Sequence, residues 1–402
     1  MPRAIGADDV LSVLPHGARV LVQGGAGESR LIAQAIEGGL AARPDLSFVG
    51  IMLPGVNTNT YGGAFTTFFL TPEFKAANAR FLPLGYNEIL AYLTAQRIDA
   101  ALFTASPPDE SGFCSFGAAV DFLADLWPRI PIRIAHINPA MPHTHGHAGI
   151  PFDDLTCVIE AETPLIEFRD APDDEITRAI GAHVAALVPN GATVQTGIGK
   201  APGACMRALT AKRDLRLQTG FVGEWALDLI DAGAIAPDAP ITTGLALGSP
   251  RLYAALRSSQ FTFRPVSYTH APSVLATQEK FVTINAALEV DLFGQVYAER
   301  APNGFASGPG GSLDFARGAK LAGGTRIIVL PAAAPYSVTT ISTSKRLNDT
   351  GPRPAPGPTI RLESRAADLR ECTHDARAER LINVAAPAHR EALLASWRAA
   401  TA

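Results

Sequence analysis

Gly191-Ala192-Thr193-Val194-Gln195-Thr196-Gly197-Ile198-Gly199 is a short run rich in β-formers that ends in glycines and gives way to a helical pattern, Ala204-Cys205-Met206-Arg207-Ala208-Leu209. The same order of parts stands near the start of the chain. Gly17-Ala18-Arg19-Val20-Leu21-Val22-Gln23-Gly24-Gly25-Ala26-Gly27 is followed by Leu31-Ile32-Ala33-Gln34-Ala35-Ile36. Further on, Ser-Phe-Gly-Ala-Ala-Val-Asp-Phe at 115–122 sits in its half much as Gly-Gly-Ser-Leu-Asp-Phe does at 310–315. Two strand–glycine–helix openings, each followed by more alternating β and α patterning, predict an α/β fold of two similar open-sheet domains. Chance likeness of two glycine-rich turns is the alternative.

Outward from these openings, continuous apolar runs read as buried parallel strands: Ala100–Thr104, Ile132–Ile137 and Arg326–Leu330. Between the halves, Ile176, Ile180, Val184, Ala185 and Val188 recur at helical spacing, and Ala171-Pro172-Asp173-Asp174-Glu175 supplies the cap. The boundary is therefore set near residue 172, giving domains 1–172 and 173–402. Gly351–Pro358, rich in Pro and Gly, reads as a surface loop or local disorder. Arg377–Ser396 reads as two helical pieces broken at Pro387 and docked on a domain.

The 402 residues suffice for two domains, and 47% hydrophobic against 18% charged residues indicates packed cores. A net charge of −4 gives no sign of the concentrated basic surface that nucleic acid requires, and no nucleic-acid partner is expected. Cys114, Cys157, Cys205 and Cys372 are widely spaced, neither a zinc signature nor a disulfide framework. No signal-peptide hydrophobic region and no membrane-spanning apolar run is present, so the expected location is cytoplasmic.

Two glycine clusters can carry chemistry. Gly197-Ile198-Gly199-Lys200-Ala201 opens a helix, where backbone amides and the helix dipole suit a phosphate; an ordinary turn with a solvated Lys200 is the alternative. Its earlier counterpart carries Glu28 at the helix start, which repels phosphate, and is read as structural. In Gly308-Pro309-Gly310-Gly311, consecutive glycines let two amides converge on a developing oxyanion, a donor of that kind contributing about 3 kcal/mol; a plain tight turn is the alternative. Pro309 has no N–H to give. His143, His145 and His147 alternate as metal ligands can, but a loop cluster without metal is preferred. Asn285, Glu289 and Asp291 alternate within an apolar run, which predicts one strand with all three on one face in a buried polar network.

Residues 106–117 (Ser-Pro-Pro-Asp-Glu-Ser-Gly-Phe-Cys-Ser-Phe-Gly), 284–292 (Ile-Asn-Ala-Ala-Leu-Glu-Val-Asp-Leu) and 307–317 (Ser-Gly-Pro-Gly-Gly-Ser-Leu-Asp-Phe-Ala-Arg) together resemble the acetyl-CoA hydrolase/transferase family, which includes the acetate and 4-hydroxybutyrate CoA-transferases. The resemblance spans nearly the whole chain. It implies the class I CoA-transferase type of fold, coenzyme A or acyl-CoA as substrate, no metal, and a homodimer. It places CoA along Gly197, Ile198, Gly199, Lys200 and Ala201 and at Gly308, and the oxyanion hole at Gly310 or Gly311. It also implies a nucleophilic glutamate within Gly-x-His-Ser/Thr-Glu-x-x-Ser-Asp-Gly. Here the corresponding stretch aligns without a gap from Asp214-Leu215 to Gly233, Gly220 falls on that glutamate and Gln218 on the histidine. The family's C-terminal Thr-Glu-Tyr-Gly appears as Leu362-Glu363-Ser364-Arg365.

Glycine cannot form the anhydride and enzyme–CoA thioester of carboxylate-mediated transfer. Glu224 then has three readings: a structural carboxylate, the general base for a water at residue 220, or a displaced nucleophile. The expected function is acyl-CoA chemistry at a thioester carbonyl, by hydrolysis or a non-standard transfer. The alternatives are a catalytically silent CoA-ester-binding or partner-binding relative, an ordinary CoA-transferase using Glu224, and thioester exchange with an acyl-carrier protein.

Overall fold

The computed structural model describes every residue except 302, 303, 306, 332, 335–337, 340, 343–358, 362–365 and 402. The Pro/Gly-rich stretch 351–358 and the 362–365 segment thus lie outside the described residues. In the first half, β1 (Arg3–Ala4), β2 (Arg19–Val22), β3 (Ser47–Gly50), β4 (Ala64–Thr67), β5 (Arg80–Phe81), β6 (Ala100–Ala105), β7 (Ile132–Ile137) and β8 (Cys157–Glu160) make one sheet. Its order is β1-β8-β7-β6-β2-β3-β4-β5, and every pairing is parallel. A parallel sheet must be covered on both faces, and the six residues of β6 are all buried, which is why Ala100–Thr104 reads as unbroken apolar sequence.

The second half repeats the scheme on a smaller scale. β9 (Thr193–Thr196), β10 (Arg216–Leu217), β11 (Val282–Ala286), β12 (Thr325–Val329), β13 (Thr359–Arg361) and β14 (Ala366–Asp368) run in the order β10-β9-β11-β12-β13-β14. Only β13 and β14 pair antiparallel. The helices that matter for the site are α1 (Arg30–Gly39), α2 (Tyr86–Ala95), α3 (Glu175–Leu187), α4 (Lys200–Arg207) and α5 (Ser312–Leu321). The class of fold expected from the sequence, two open parallel α/β sheets, is the one observed.

The linking helix α3 starts where its cap predicts. Asp174 accepts from Thr177 N at 2.8 Å while the Thr177 hydroxyl reaches back, a reciprocal capping box. Ile180 and Val184 are buried, whereas Ile176 stays exposed at the solvent side of the first turn. At the other end of the chain, α6 (His374–Val384) and α7 (Arg390–Thr401) flank a 3-10 turn at Pro387–His389. They dock through Leu381, Leu393 and Trp397 against Val290, Leu292 and Ile328.

One sequence expectation is corrected. Asn285 lies in β11, but the chain leaves that strand after Ala286, and Glu289–Asp291 forms a separate strand in another small sheet. Asn285 bonds Gln195 in the core, whereas the Asp291 carboxylate accepts from the N–H groups of Phe293 and Gln295 and the Tyr297 hydroxyl. The alternation was broken by a turn that two apolar residues, Ala287 and Leu288, do not announce.

The halves share one core. Buried residues from β6 and α2 pack in the same cluster as Ile180, Val194, Met206 and Ile284. Backbone bonds cross the seam at Ala246 N to Ala118 O (2.8 Å) and Val120 N to Gly244 O (3.0 Å), and a parallel bridge joins Gly85 to Gly310.

Candidate active site

The turn after β9 begins with Gly197, whose N–H donates to Ile284 O at 2.9 Å. A Cβ at residue 197 would come 2.8 Å from Asn285 Oδ1, and Asn285 Nδ2 donates to Gln195 Oε1 at 3.0 Å. Asn285 therefore buttresses the loop from below. Gly199, with φ 132° and ψ 167°, caps α4 in a conformation that only glycine occupies without strain. Ile198 is exposed, and Lys200 Nζ lies 2.7 Å from Asp174 Oδ2, an ion pair that holds the Asp174 carboxyl below its usual range.

The earlier counterpart is closed. Glu28 is buried and accepts from Asn57 Nδ2 (2.7 Å), Asn59 Nδ2 (3.1 Å) and Tyr61 Oη (3.1 Å). A Cβ on Gly24 would collide with the carbonyl oxygen of Ile51, and Gln23 donates to Ala119 O. Burial raises the Glu28 carboxyl above its ordinary value, against the lowering effect of those donors.

The second glycine run lies on the seam between the halves. Gly308 packs so closely on Phe68 O that a side chain there would strike backbone. Gly310, at φ 56°, makes the bridge to Gly85, and Gly311 caps α5. On α5, Asp314 accepts from Asn87 Nδ2 at 2.9 Å, and the same Asn87 amide donates to His270 O at 2.9 Å. One side chain from the first half thus fixes both α5 and residue 270.

His270 occupies the volume between the two glycine segments. A Cβ on Gly220 would lie 2.9 Å from its Cε1 and 3.1 Å from its Nε2, and one on Gly311 would collide with Nε2. The ring sits between Tyr86 and Phe315, with centroids 4.7 and 4.6 Å away. Gln218 also turns toward this segment, its Nε2 donating to Thr269 O at 3.3 Å. His270 is 2% exposed, and burial drives its pKa down to about 3, so the imidazole is neutral.

Its tautomer follows from the hydrogen bonds. The Thr269 hydroxyl donates to Pro265 O at 3.2 Å and so must accept at 2.9 Å from His270 Nδ1–H. The Nε2 lone pair, without a hydrogen-bond partner among the described residues, faces Gly220 and Gly311. The sequence reading missed this residue. Ser267-Tyr268-Thr269-His270-Ala271-Pro272 carries no catalytic spacing, and only the tertiary fold brings it to Gly220.

Glu224 is placed elsewhere. Its carboxylate accepts from the Ser249 hydroxyl at 2.9 Å and from Ser249 N at 3.1 Å. With Asp170, Arg207, Asp228 and Ser249 it lines a cavity of about 400 Å³ to which Gly220, Gly310 and Gly311 contribute nothing. His143, His145 and His147 diverge: His143 Nε2 lies 3.6 Å from Asp109, His145 Nε2 donates to Arg257 O, and His147 Nδ1 accepts from Gly149 N. Among the described residues no group of three or more His, Cys, Asp or Glu side chains is placed to hold a metal ion, and no helix is long and apolar enough to cross a membrane.

Residues 248–397 match the acetyl-CoA hydrolase/transferase C-terminal domain. The 4-hydroxybutyrate coenzyme A transferase of Clostridium kluyveri is 31% identical over 339 residues, covering 81% of this chain and 78% of that protein. The chain belongs to the acetyl-CoA hydrolase/transferase family. Butyryl-CoA:acetate CoA-transferase of Anaerostipes caccae is 29% identical over 80% of this chain and 76% of its own. Among solved structures, the 4-hydroxybutyrate CoA-transferase of Porphyromonas gingivalis superposes with a TM-score of 0.80 at 25% identity, covering 98% and 97% of the two chains. RipA from Yersinia pestis shares the fold, with a TM-score of 0.90 at 24% identity over 99% and 97% of the two chains. The likeness to this family runs through both halves, and the fold is that of the class I CoA-transferases.

Proposed function

We propose that this family member acts on acyl-CoA thioesters by hydrolysis, or by transfer to an acceptor other than a carboxylic acid. The observation that carries this reading is the imidazole of His270 in the space that a side chain at residue 220 would need. CoA would lie along Gly197, Ile198, Gly199, Lys200 and Ala201 and reach Gly308, with the thioester carbonyl at Gly310 or Gly311. The relatives named for CoA transfer support acyl-CoA as the substrate class.

The chemistry then uses His270 as a positioning base. Its free Nε2 accepts a hydrogen bond from the attacking water; the water oxygen bonds to the acyl carbon, the C–S bond breaks, and the proton reaches the departing CoA sulfur through the imidazole. The glycine amides stabilise the oxyanion formed on the way. A second reading rests on Glu224, whose partly exposed carboxylate faces an open cavity. There it could serve as base or nucleophile.

Mass-spectrometric turnover of an acyl-CoA panel, with and without acetate or succinate, separates these. Release of free CoA without acceptor, falling at least about 100-fold in His270→Gln and little in Glu224→Gln, is the expected result. Acceptor-dependent formation of a new acyl-CoA, lost in Glu224→Gln, would overturn it in favour of transfer. No turnover of any ester would leave a CoA-ester-binding or partner-binding protein.

A further inference from the structure

Beneath α5 the second sheet holds a row of polar side chains that its packing does not satisfy. Gln195 on β9, Thr283 on β11 and Arg326 on β12 are in register across three parallel strands. Gln195 is paired with Asn285, but among the described residues the Thr283 hydroxyl and the Nε and Nη2 of Arg326 are buried without hydrogen-bond partners. Arg326 is 9% exposed, and no carboxylate among the described residues makes an ion pair with it. Burial lowers its pKa only to about 10, so the guanidinium is charged at neutral pH. A buried charge without a partner opposes folding.

The guanidinium does not sit in a sealed core. It lines a cavity of about 60 Å³ together with Asn285, Glu299, Pro309, Ser312 and Leu313. The N-terminus of α5, ten residues long, borders the same space through Ser312 and adds its positive dipole. Pro309 and Ser312 flank Gly310 and Gly311, so the cavity adjoins the glycine run directly. Glu299 shares the space, and burial raises its carboxyl above the ordinary value.

We propose that Arg326 receives the distal carboxylate of the acyl group, so that the preferred thioesters are those of dicarboxylic acids. This rests on the acyl-CoA reading above and names the substrate class within it. The planar fork of an arginine matches a carboxylate in bidentate fashion, which lysine does not. The acyl chain would run from the glycine amides past Pro309 and Ser312 to the guanidinium.

Isothermal titration with two non-hydrolysable CoA thioethers tests this without relying on turnover. One carries a 3-carboxypropyl group and the other a butyl group. Wild type is expected to bind the carboxypropyl compound at least about tenfold tighter. Arg326→Met should abolish that difference while keeping the butyl affinity, and Arg326→Lys should retain part of it. Equal affinities in wild type, or a preference that survives in Arg326→Met, would overturn the proposal and leave the acyl-CoA reading intact. Failure of both thioethers to bind would remove that reading and the proposal together.

Discussion

The turns after β2 and β9 share a strand, a positive-φ glycine (Gly25 at 59°, Gly199 at 132°) and a helix that follows. Around the first, Ile51, Asn57, Ala119 and the buried Glu28 pack against or bond the turn. Around the second, Ile198 and Lys200 reach solvent, and Asn285 and the Ile284 carbonyl support the loop from inside. The ionisable groups buried nearest the two glycine regions also differ: the Glu28 carboxyl, pushed up, beside the first turn and the His270 imidazole, pushed down, beside Gly220 and Gly311. Duplication of a local frame therefore leaves its use undecided; the side chains packed against the frame decide it.

The acid side of that contrast should give the largest effect. The folded pKa of His270, about 3, lies below the ordinary 6.5, so the unfolded chain takes up a proton that the folded chain refuses. Its contribution is present above pH 6.5 and lost as pH falls toward 3, on the order of 5 kcal/mol over the window. Urea denaturation at a series of pH values should show this slope in wild type and its absence in His270→Gln. A wild-type slope unchanged by that substitution breaks the assignment.

Next comes the difference in closure. Gly24→Ala drives a methyl into the Ile51 carbonyl, backbone that cannot yield, and should cost about 3 kcal/mol. Ile198→Ala, at the equivalent point of the open turn, should change stability by no more than about 0.5 kcal/mol. Similar costs at the two sites would show that both turns are packed alike.

Glu28 sharpens the comparison from the alkaline side. Its raised carboxyl makes the folded chain hold a proton that the unfolded one has lost, so its contribution is present below pH 4.5 and declines as pH rises. Glu28→Gln should flatten that decline and, by turning an amide toward Asn57, cost about 1–2 kcal/mol near neutral pH. The smallest effect is expected of Lys200→Ala. Its ion pair with Asp174 lies at the surface, where such pairs add little, so thermal melting should barely move while CoA affinity drops severalfold.

Much of the frame could be read from the chain because it is written locally. The glycines at 25 and 199 mark conformations other residues avoid, the apolar run 100–104 marks a strand covered on both faces, and Asp174 with Thr177 marks a helix start. The site was less legible. Gly197–Ala201 and Gly308–Gly311 stood out as motifs, and Gly220 stood out through the family resemblance. What fills the space beside Gly220 did not, since His270 arrives there through the packing of Tyr86, Asn87 and Phe315 from distant parts of the chain. Arg326 was hidden for a similar reason. A single arginine opening the run Ile327-Ile328-Val329-Leu330 reads as a strand end, and only the register with Thr283 reveals an interior charge.

The bridge from Gly85 to Gly310 and the Asn87–Asp314 bond, which joins residues 227 positions apart, also set an order of events. Contacts so distant along the chain close late, after the local strand–helix units have formed. The first sheet can assemble on nascent chain that ends well short of residue 300. The glycine run cannot take its shape until Gly310 and Asp314 have emerged and found α2. Synthesis therefore delivers the strands of the first sheet long before it delivers the seam, and the core that the two halves share closes only once the second half has followed.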